Sequence, residues 1–338
     1  MNSLEKQRNF GLDLMRAVAI ILVVMAHYPF LFKNQMLGFW GVQTFFSLSG
    51  FLIGNILFSR PMKDIISVLE FWKDRWLRTL PNYYVFFGIE CYRMNVNPIY
   101  AKRYLFFMQG YYPDIFYFYG VSWTLCVEEW FYLLMPLLFL ILKNASKNFM
   151  GCCLLFLFFC ITVIREYLFQ NGVQGVFHNP LLKCDGILMG VAVAYIKYSK
   201  IDFYLLIERK FVGVMSFVLI CFIYVITLEI KIVSPTLLLI YAVLISIMIP
   251  SISKIDQFRT KILNKLIYVI SVSSYTIYLL HYPFLRLFWS SEDFHQYNFH
   301  SGISFVLYFL IVLSISYVWY LSFEKTILRL RTKISFRK

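Results

Sequence analysis

Apolar residues come in long unbroken runs in this chain, and the polar positions collect between the runs rather than alternating within them. A helix needs about 17–25 predominantly apolar residues to cross the hydrocarbon core of a bilayer. Runs of that kind fall at roughly 11–32, 38–58, 79–94, 120–142, 150–169, 180–197, 211–228, 233–250, 266–289 and 303–324, and predict ten transmembrane helices, the third the shortest. Two connections are longer than a tight turn. The first, about 59–81, contains DIISVLEFWKDRWLRTLP, whose Ile65, Ile66, Leu69, Trp72, Trp76 and Leu80 follow helical spacing with basic residues between them. That pattern predicts an amphipathic helix along the cytoplasmic interface. The second, about 95–119, contains FFMQGYYPDIFYFYG and has the Tyr and Phe density of an interfacial segment.

Composition supports an all-α polytopic bundle and excludes an ordinary soluble domain: 60% of the 338 residues are hydrophobic, 20% aromatic and 15% charged. No Gly/Ser or Pro-rich linker divides the chain and no internal repeat stands out, so residues 1–338 are expected to form one integral membrane domain. No short apolar run with a small-residue cleavage site precedes the first span, which is therefore expected to remain as an anchor. With about fourteen residues after the last span, an appended soluble domain is not expected. The seven cysteines lie almost entirely in apolar runs without metal-ligand spacing and read as small apolar filler, with no metal expected.

A net charge of +14 raises the question of nucleic acid, and its distribution answers it. With the N-terminus inside, 23 of the 32 Lys and Arg residues fall in inner segments, five in outer loops, and four (Arg16, Arg165, Lys183, Arg286) within or at the ends of spans. The basicity is a topology signal that puts both termini in the cytoplasm.

The polar residues inside the spans carry the candidate chemistry. In GLDLMRAVAIILVVMAHYPF, Arg16 lies about −60° and His27 about −40° from Asp13 around the helix axis, so the three share one stripe. Arg16 and His27 are about 16 Å apart along it. Each such group near mid-bilayer costs on the order of 3 kcal/mol and normally faces a protein interior or watery cavity. The plain alternative is a local Asp13–Arg16 ion pair with His27 hydrogen-bonded to another helix. In WTLCVEEWFYLLMP, the adjacent Glu128 and Glu129 point about 100° apart, so at most one shares a cavity with His27. The other reading is a glutamate locking two helices together. Lys183, Asp185 and His281 stand equally for structure or function. Arg75 and Arg78, three apart on one helix face, suit phosphate recognition. Basic residues beside a span also meet lipid phosphates, and the pair alone leaves both readings open.

Taken in order, these motifs resemble the acyltransferase-3 family of membrane acyltransferases. LDLMRAVAIILVVMAH, FFSLSGFLI (Phe45 to Ile53), RWLRTLP, WTLCVEEWFYLLMP, SYTIYLLHYP and FEK (Phe323 to Lys325) span residues 11 to 325. Three positions depart from the family pattern: Leu14 replaces a usual glycine, the arginine often found ahead of the sixth-span aspartate is replaced by Lys183 or lost, and Thr326 replaces a proline. The resemblance implies a helical membrane O-acyltransferase that moves an acetyl group from cytoplasmic acetyl-CoA to an exported glycan. It places the functional histidine at His27 and cofactor contacts at Arg16, Arg75 and Arg78. On the chemistry, His27 suits a general base toward a hydroxyl, with Asp13 or Glu128 orienting it and Arg16 facing the thioester or its oxyanion. Implied partners are acyl-CoA, membrane lipids, a glycan or glycolipid acceptor and a further protein of polysaccharide biosynthesis, in a bacterial inner membrane. Lipopolysaccharide O-antigen, other surface polysaccharide, peptidoglycan and a small metabolite are all open as acceptors. A secondary transporter or flippase would bury the same residue types, with repeats and broken helices in matching positions.

Overall fold

The computed structural model of the protein describes residues 8–28, 35–112, 118–230, 234–288, 302–331 and 334. Its helices are α1 (Phe10–His27), α2 (Gln35–Ser59), α3 (Ile65–Arg93), α4 (Pro98–Leu105), α5 (Trp123–Ile141), α6 (Lys147–Gln170), α7 (Asp185–Tyr198), α8 (Phe203–Ile207), α9 (Lys210–Ile230), α10 (Pro235–Ile252), α11 (Lys261–Phe288), α12 (Gly302–Trp319) and α13 (Lys325–Arg331). A π-helical turn, Tyr320–Glu324, joins the last two. Among the described residues there is no strand, and eight helices are long and apolar enough to cross a membrane. The chain is an all-α, multi-pass membrane bundle.

Two of the ten expected spans are built differently. The amphipathic segment and the short third span are one helix, α3, of 29 residues with Pro81 inside it. A proline removes one helical hydrogen bond, and α3 is tied to its neighbours on either side of that point. Trp72 donates to the Tyr132 carbonyl at 3.0 Å, and Trp319 donates to Asn82 Oδ1 at 3.1 Å. Asp64 starts the helix by accepting from the Ser67 backbone at 2.8 Å, half of a capping box. The segment expected as the sixth span is α7, only 14 residues and so about 21 Å long, shorter than a hydrocarbon core and not among the eight long apolar helices. It survives because it is enclosed. A side-chain carbon added at Gly190 would lie 2.1 Å from the Ser47 carbonyl oxygen, and one at Gly50 would lie 1.9 Å from that of Ile187. The α2 and α7 backbones therefore touch at Gly50 and Gly190, while Gly54 lies against Ala194 and Gly186 against the Gln43 side chain, two small-residue pairs four apart.

α1 lies in the middle of the bundle, against α2 on one side and α11 on the other. Ala19, Ile20, Val23 and Val24 are completely buried. The aromatic outer connection packs inward as well: Cys126 Sγ and Trp130 Nε1 both donate to the Phe107 carbonyl at 2.8 Å, and Phe118 and Tyr119 are buried. Residues 113–117 of that connection lie outside the described residues. All seven cysteines are free thiols.

Candidate active site

In the orientation expected from the charge pattern, which defines inner and outer here, the polar stripe of α1 faces α11 along its length. At the inner end Asp13 is buried and holds three partners. Arg8 donates to both of its oxygens at 2.9 and 2.5 Å, Arg16 to Oδ1 at 3.2 Å, and Ser271 of α11 to Oδ1 at 2.8 Å. Its carboxylate is thus engaged with two guanidinium groups, and it stands about 21 Å along the helix from His27. Asp13 and His27 are not brought together.

At the outer end, His27 Nδ1 lies 2.8 Å from the Val23 carbonyl oxygen of its own helix. A carbonyl oxygen only accepts, so Nδ1 carries the hydrogen and Nε2 is left with its lone pair. The ring packs edge-on against His281 of α11, centroids 4.9 Å apart, and against Tyr282 at 5.5 Å. His281 repeats the arrangement. Its Nδ1 faces the carbonyls of Tyr278 and Ile277 at 2.8 and 3.1 Å, and its buried Nε2 has no hydrogen-bond partner among the described residues. The sequence pattern isolates His27 because it shares a stripe with Asp13. His281 becomes its neighbour only when α11 packs on α1.

Between these ends lies a cavity of about 120 Å³, walled by α1, α2, α3, α5 and α11. Arg16, Arg75, Arg78 and Glu128 converge on it, together with Ser49 and Tyr132, whose hydroxyls are 2.8 Å apart. Phe45, Phe46 and Leu48 supply apolar wall. The two glutamates part company, as their angular separation requires. Glu128 faces the cavity, whereas buried Glu129 accepts from Thr79 of α3 at 2.7 Å and ties α3 to α5. Glu128 is among the cavity walls and His27 is not, so the inner charged cluster and the histidine pair are separate centres. Tyr278 stands between them. It lines the cavity, its ring is 5.7 Å from that of His281, and its hydroxyl accepts from Thr124 and donates to the Val121 carbonyl, both at 2.8 Å.

A third polar centre lies apart from both. Asp185, at the start of α7, pairs with Arg165 of α6 at 2.8 Å and with Lys183 at 3.3 Å, and Lys183 also donates to Gln43 of α2 at 2.9 Å. The arginine expected just ahead of this aspartate is supplied from another helix. Arg165 could not be assigned this place from spacing, since it lies twenty positions ahead of Asp185 and across a loop.

A further basic cavity of about 210 Å³ lies at the inner face and shares Arg16, Arg78, Ser274 and Tyr275 with the first. Its remaining cations come from Arg8 and from the C-terminal Lys325, Arg329 and Arg331. Lys325 closes the FEK motif, whereas Arg329 and Arg331 enter the sequence pattern only through the charge asymmetry.

Comparison with known proteins bears on this geometry. The acyltransferase domain of the acyltransferase-3 type matches residues 9–321. The peptidoglycan O-acetyltransferase OatA of Listeria monocytogenes is 28% identical over 314 residues, covering 82% of this chain and 49% of the relative. The O-acetyltransferase OatA of Staphylococcus aureus (strain NCTC 8325 / PS 47) is 25% identical over 311 residues, covering 81% and 50%. The putative peptidoglycan O-acetyltransferase YrhL of Bacillus subtilis is 28% identical over 217 residues, covering 55% and 33%. The chain therefore spans about half the length, or less, of the curated relatives it matches. No solved structure matches.

Proposed function

The chain belongs to the acyltransferase-3 family, and on that premise we propose that it is a membrane O-acetyltransferase carrying an acetyl group from acetyl-CoA to a hydroxyl of a cell-envelope glycan. The observation that carries this reading is a single cavity, lined by Arg16, Arg75, Arg78 and Glu128, whose wall at Tyr278 abuts the His281–His27 pair. Such an arrangement separates an anion-binding entrance from an imidazole base and connects them through the protein interior. The names of the relatives favour peptidoglycan over lipopolysaccharide O-antigen as the acceptor class. We place the protein in the bacterial plasma membrane, both termini inside, with residues 1–338 acting as one membrane unit. The transporter reading has no support in the family match.

In the proposed reaction the donor enters from the cytoplasmic side with its phosphates held by the inner arginines. Arg16 is about 16 Å from His27 along α1, so it belongs to the cofactor end and not to the oxyanion. The pantetheine arm extends outward and presents its thioester near Tyr278. His27 Nε2 removes the proton of the acceptor hydroxyl as oxygen attacks the thioester carbonyl. A C–O bond forms, the C–S bond breaks, and the coenzyme thiolate takes that proton from His27 on leaving, which restores the base. Val23 fixes the tautomer this requires, so the Val23 carbonyl does for His27 what Asp13 or Glu128 was expected to do. Glu128, beside the inner arginines, helps position the donor.

The test is transfer of label from acetyl-CoA to peptidoglycan fragments in membrane vesicles, at matched expression. Wild type is expected to transfer, His27→Ala to lose at least a hundredfold, and Arg75→Ala/Arg78→Ala to need far more donor. Transfer by His27→Ala at the wild-type rate would overturn the assignment of the base. Wild-type vesicles that transfer nothing to any envelope glycan would overturn the activity.

A further inference from the structure

The cations of the inner-face cavity are more numerous than the proposed chemistry at His27 and Glu128 requires. Arg8, Arg16, Arg78, Lys325, Arg329 and Arg331 all line a space of about 210 Å³. Among the described residues, Glu324 is the carboxylate lining it, and Asp13 behind it engages Arg8 and Arg16. Six cations thus line one small cavity, with Asp13 against Arg8 and Arg16 and Asp74 beside Arg331. Gathering like charges at a partly desolvated wall is unfavourable unless an anion of matching charge is to be bound there.

Three further features show that the cluster is built. The π-helical turn Tyr320–Glu324 adds a residue to one helical turn and so rotates everything beyond it, which is how Glu324, Lys325, Leu328 and Arg329 come to line the cavity. α13 is then held against α3, with Arg331 donating to the Asp74 carbonyl at 3.4 Å and Lys73 donating to the Ile334 carbonyl at 2.6 Å. Finally, the cavity is continuous in its lining with the first one, through Arg16, Arg78, Ser274 and Tyr275.

Resting on the reading of a coenzyme A thioester as donor, we propose that this second cavity is the polyphosphate limb of the donor site and that α13 is the element selecting for it. The adenosine 3′-phosphate 5′-diphosphate portion of coenzyme A carries about four negative charges near neutrality, opposite in sign to the side chains that line the cavity. The limb shared by both cavities then leads the uncharged pantetheine arm past Arg16 and Arg78 toward Glu128 and Tyr278. Guanidinium groups bind phosphate oxygens in pairs, so Arg329 and Arg331 recognise the nucleotide end while the acetyl group is handled at the far end of the same site. A donor without the nucleotide has no use for α13.

The experiment compares acetyl-CoA with S-acetylpantetheine as donors for the full chain in nanodiscs, wild type against Arg329→Gln/Arg331→Gln. The wild type is expected to prefer acetyl-CoA in kcat/KM, and the variant to lose at least tenfold of that preference through KM. Equal losses with both donors would mean that α13 only supports the fold, and would overturn the proposal. Adenosine 3′,5′-bisphosphate is expected to compete with acetyl-CoA in wild type in nanodiscs of neutral lipid. Competition by anionic lipid and not by the bisphosphate would overturn it in favour of a headgroup site. A wild type that transfers nothing from acetyl-CoA defeats the activity, and the limb is then read by thermal unfolding. Stabilisation by coenzyme A but not by pantetheine, absent in the double variant, would uphold it; no stabilisation by coenzyme A would overturn it.

Discussion

Asp185 is the residue whose removal best tests how the buried charges of this bundle work. Its carboxylate sits between Arg165 and Lys183, at side-chain exposures of 0%, 0% and 1% respectively. Asp185→Asn keeps the shape and removes the charge, leaving two buried cations beside a neutral amide. Stripping one partner from a buried ion pair costs about 3–5 kcal/mol. At about 2 °C per kcal/mol for a chain of this size, the variant should unfold roughly 6–10 °C below wild type. Thermal unfolding in detergent, followed by intrinsic tryptophan fluorescence, measures this directly. Adding Lys183→Met removes one stranded cation and should recover part of the loss, which makes the coupling visible as non-additivity. Acetyl transfer per folded molecule should stay close to wild type at low temperature, because the cluster shares no lining residue with either inner cavity. An Asp185→Asn protein that melts within a degree or two of wild type and fails to turn over would refute the reasoning and make Asp185 part of the chemistry.

Two further outcomes follow from contacts already described. Gly190→Ala puts a methyl carbon 2.1 Å from the Ser47 carbonyl oxygen, so α2 and α7 must separate; a loss of about 1–3 kcal/mol, seen as a lower unfolding temperature, is expected, and wild-type stability would contradict the close contact. The two glutamates should separate in kinetics: Glu128→Gln raises KM for acetyl-CoA severalfold. Glu129→Gln instead weakens the Thr79 link, lowering stability by about 1 kcal/mol with KM within twofold of wild type, and interchange of the two phenotypes would reverse their assignment.

Much of the architecture was legible because a bilayer leaves few solutions. Long apolar runs must become helices, since no water is present to satisfy exposed backbone groups. The exceptions are instructive. α3 reads as two elements because its first half is amphipathic and Pro81 marks a break, yet cross-helix bonds, donated by Trp72 and accepted by Asn82, hold it as one. α7 is too short to stand as a span alone, and the paired glycines that bury it look unremarkable until the facing backbone is known.

The sequence by itself determined the class of protein, the basic side of the membrane, the stripe of Asp13, Arg16 and His27 on one helix face, and the divergence of Glu128 from Glu129. All of these depend on periodicity and charge along one chain. Which groups meet was decided only by tertiary structure, because contact depends on where separate helices cross. Packing of α11 on α1 supplied Ser271 to Asp13 and His281 to His27, and left Tyr278 between the inner cavity and the histidines. Packing of α6 on α7 brought Arg165 to Asp185, and the π turn carried Lys325, Arg329 and Arg331 onto a cavity that their position near the end of the chain does not foretell.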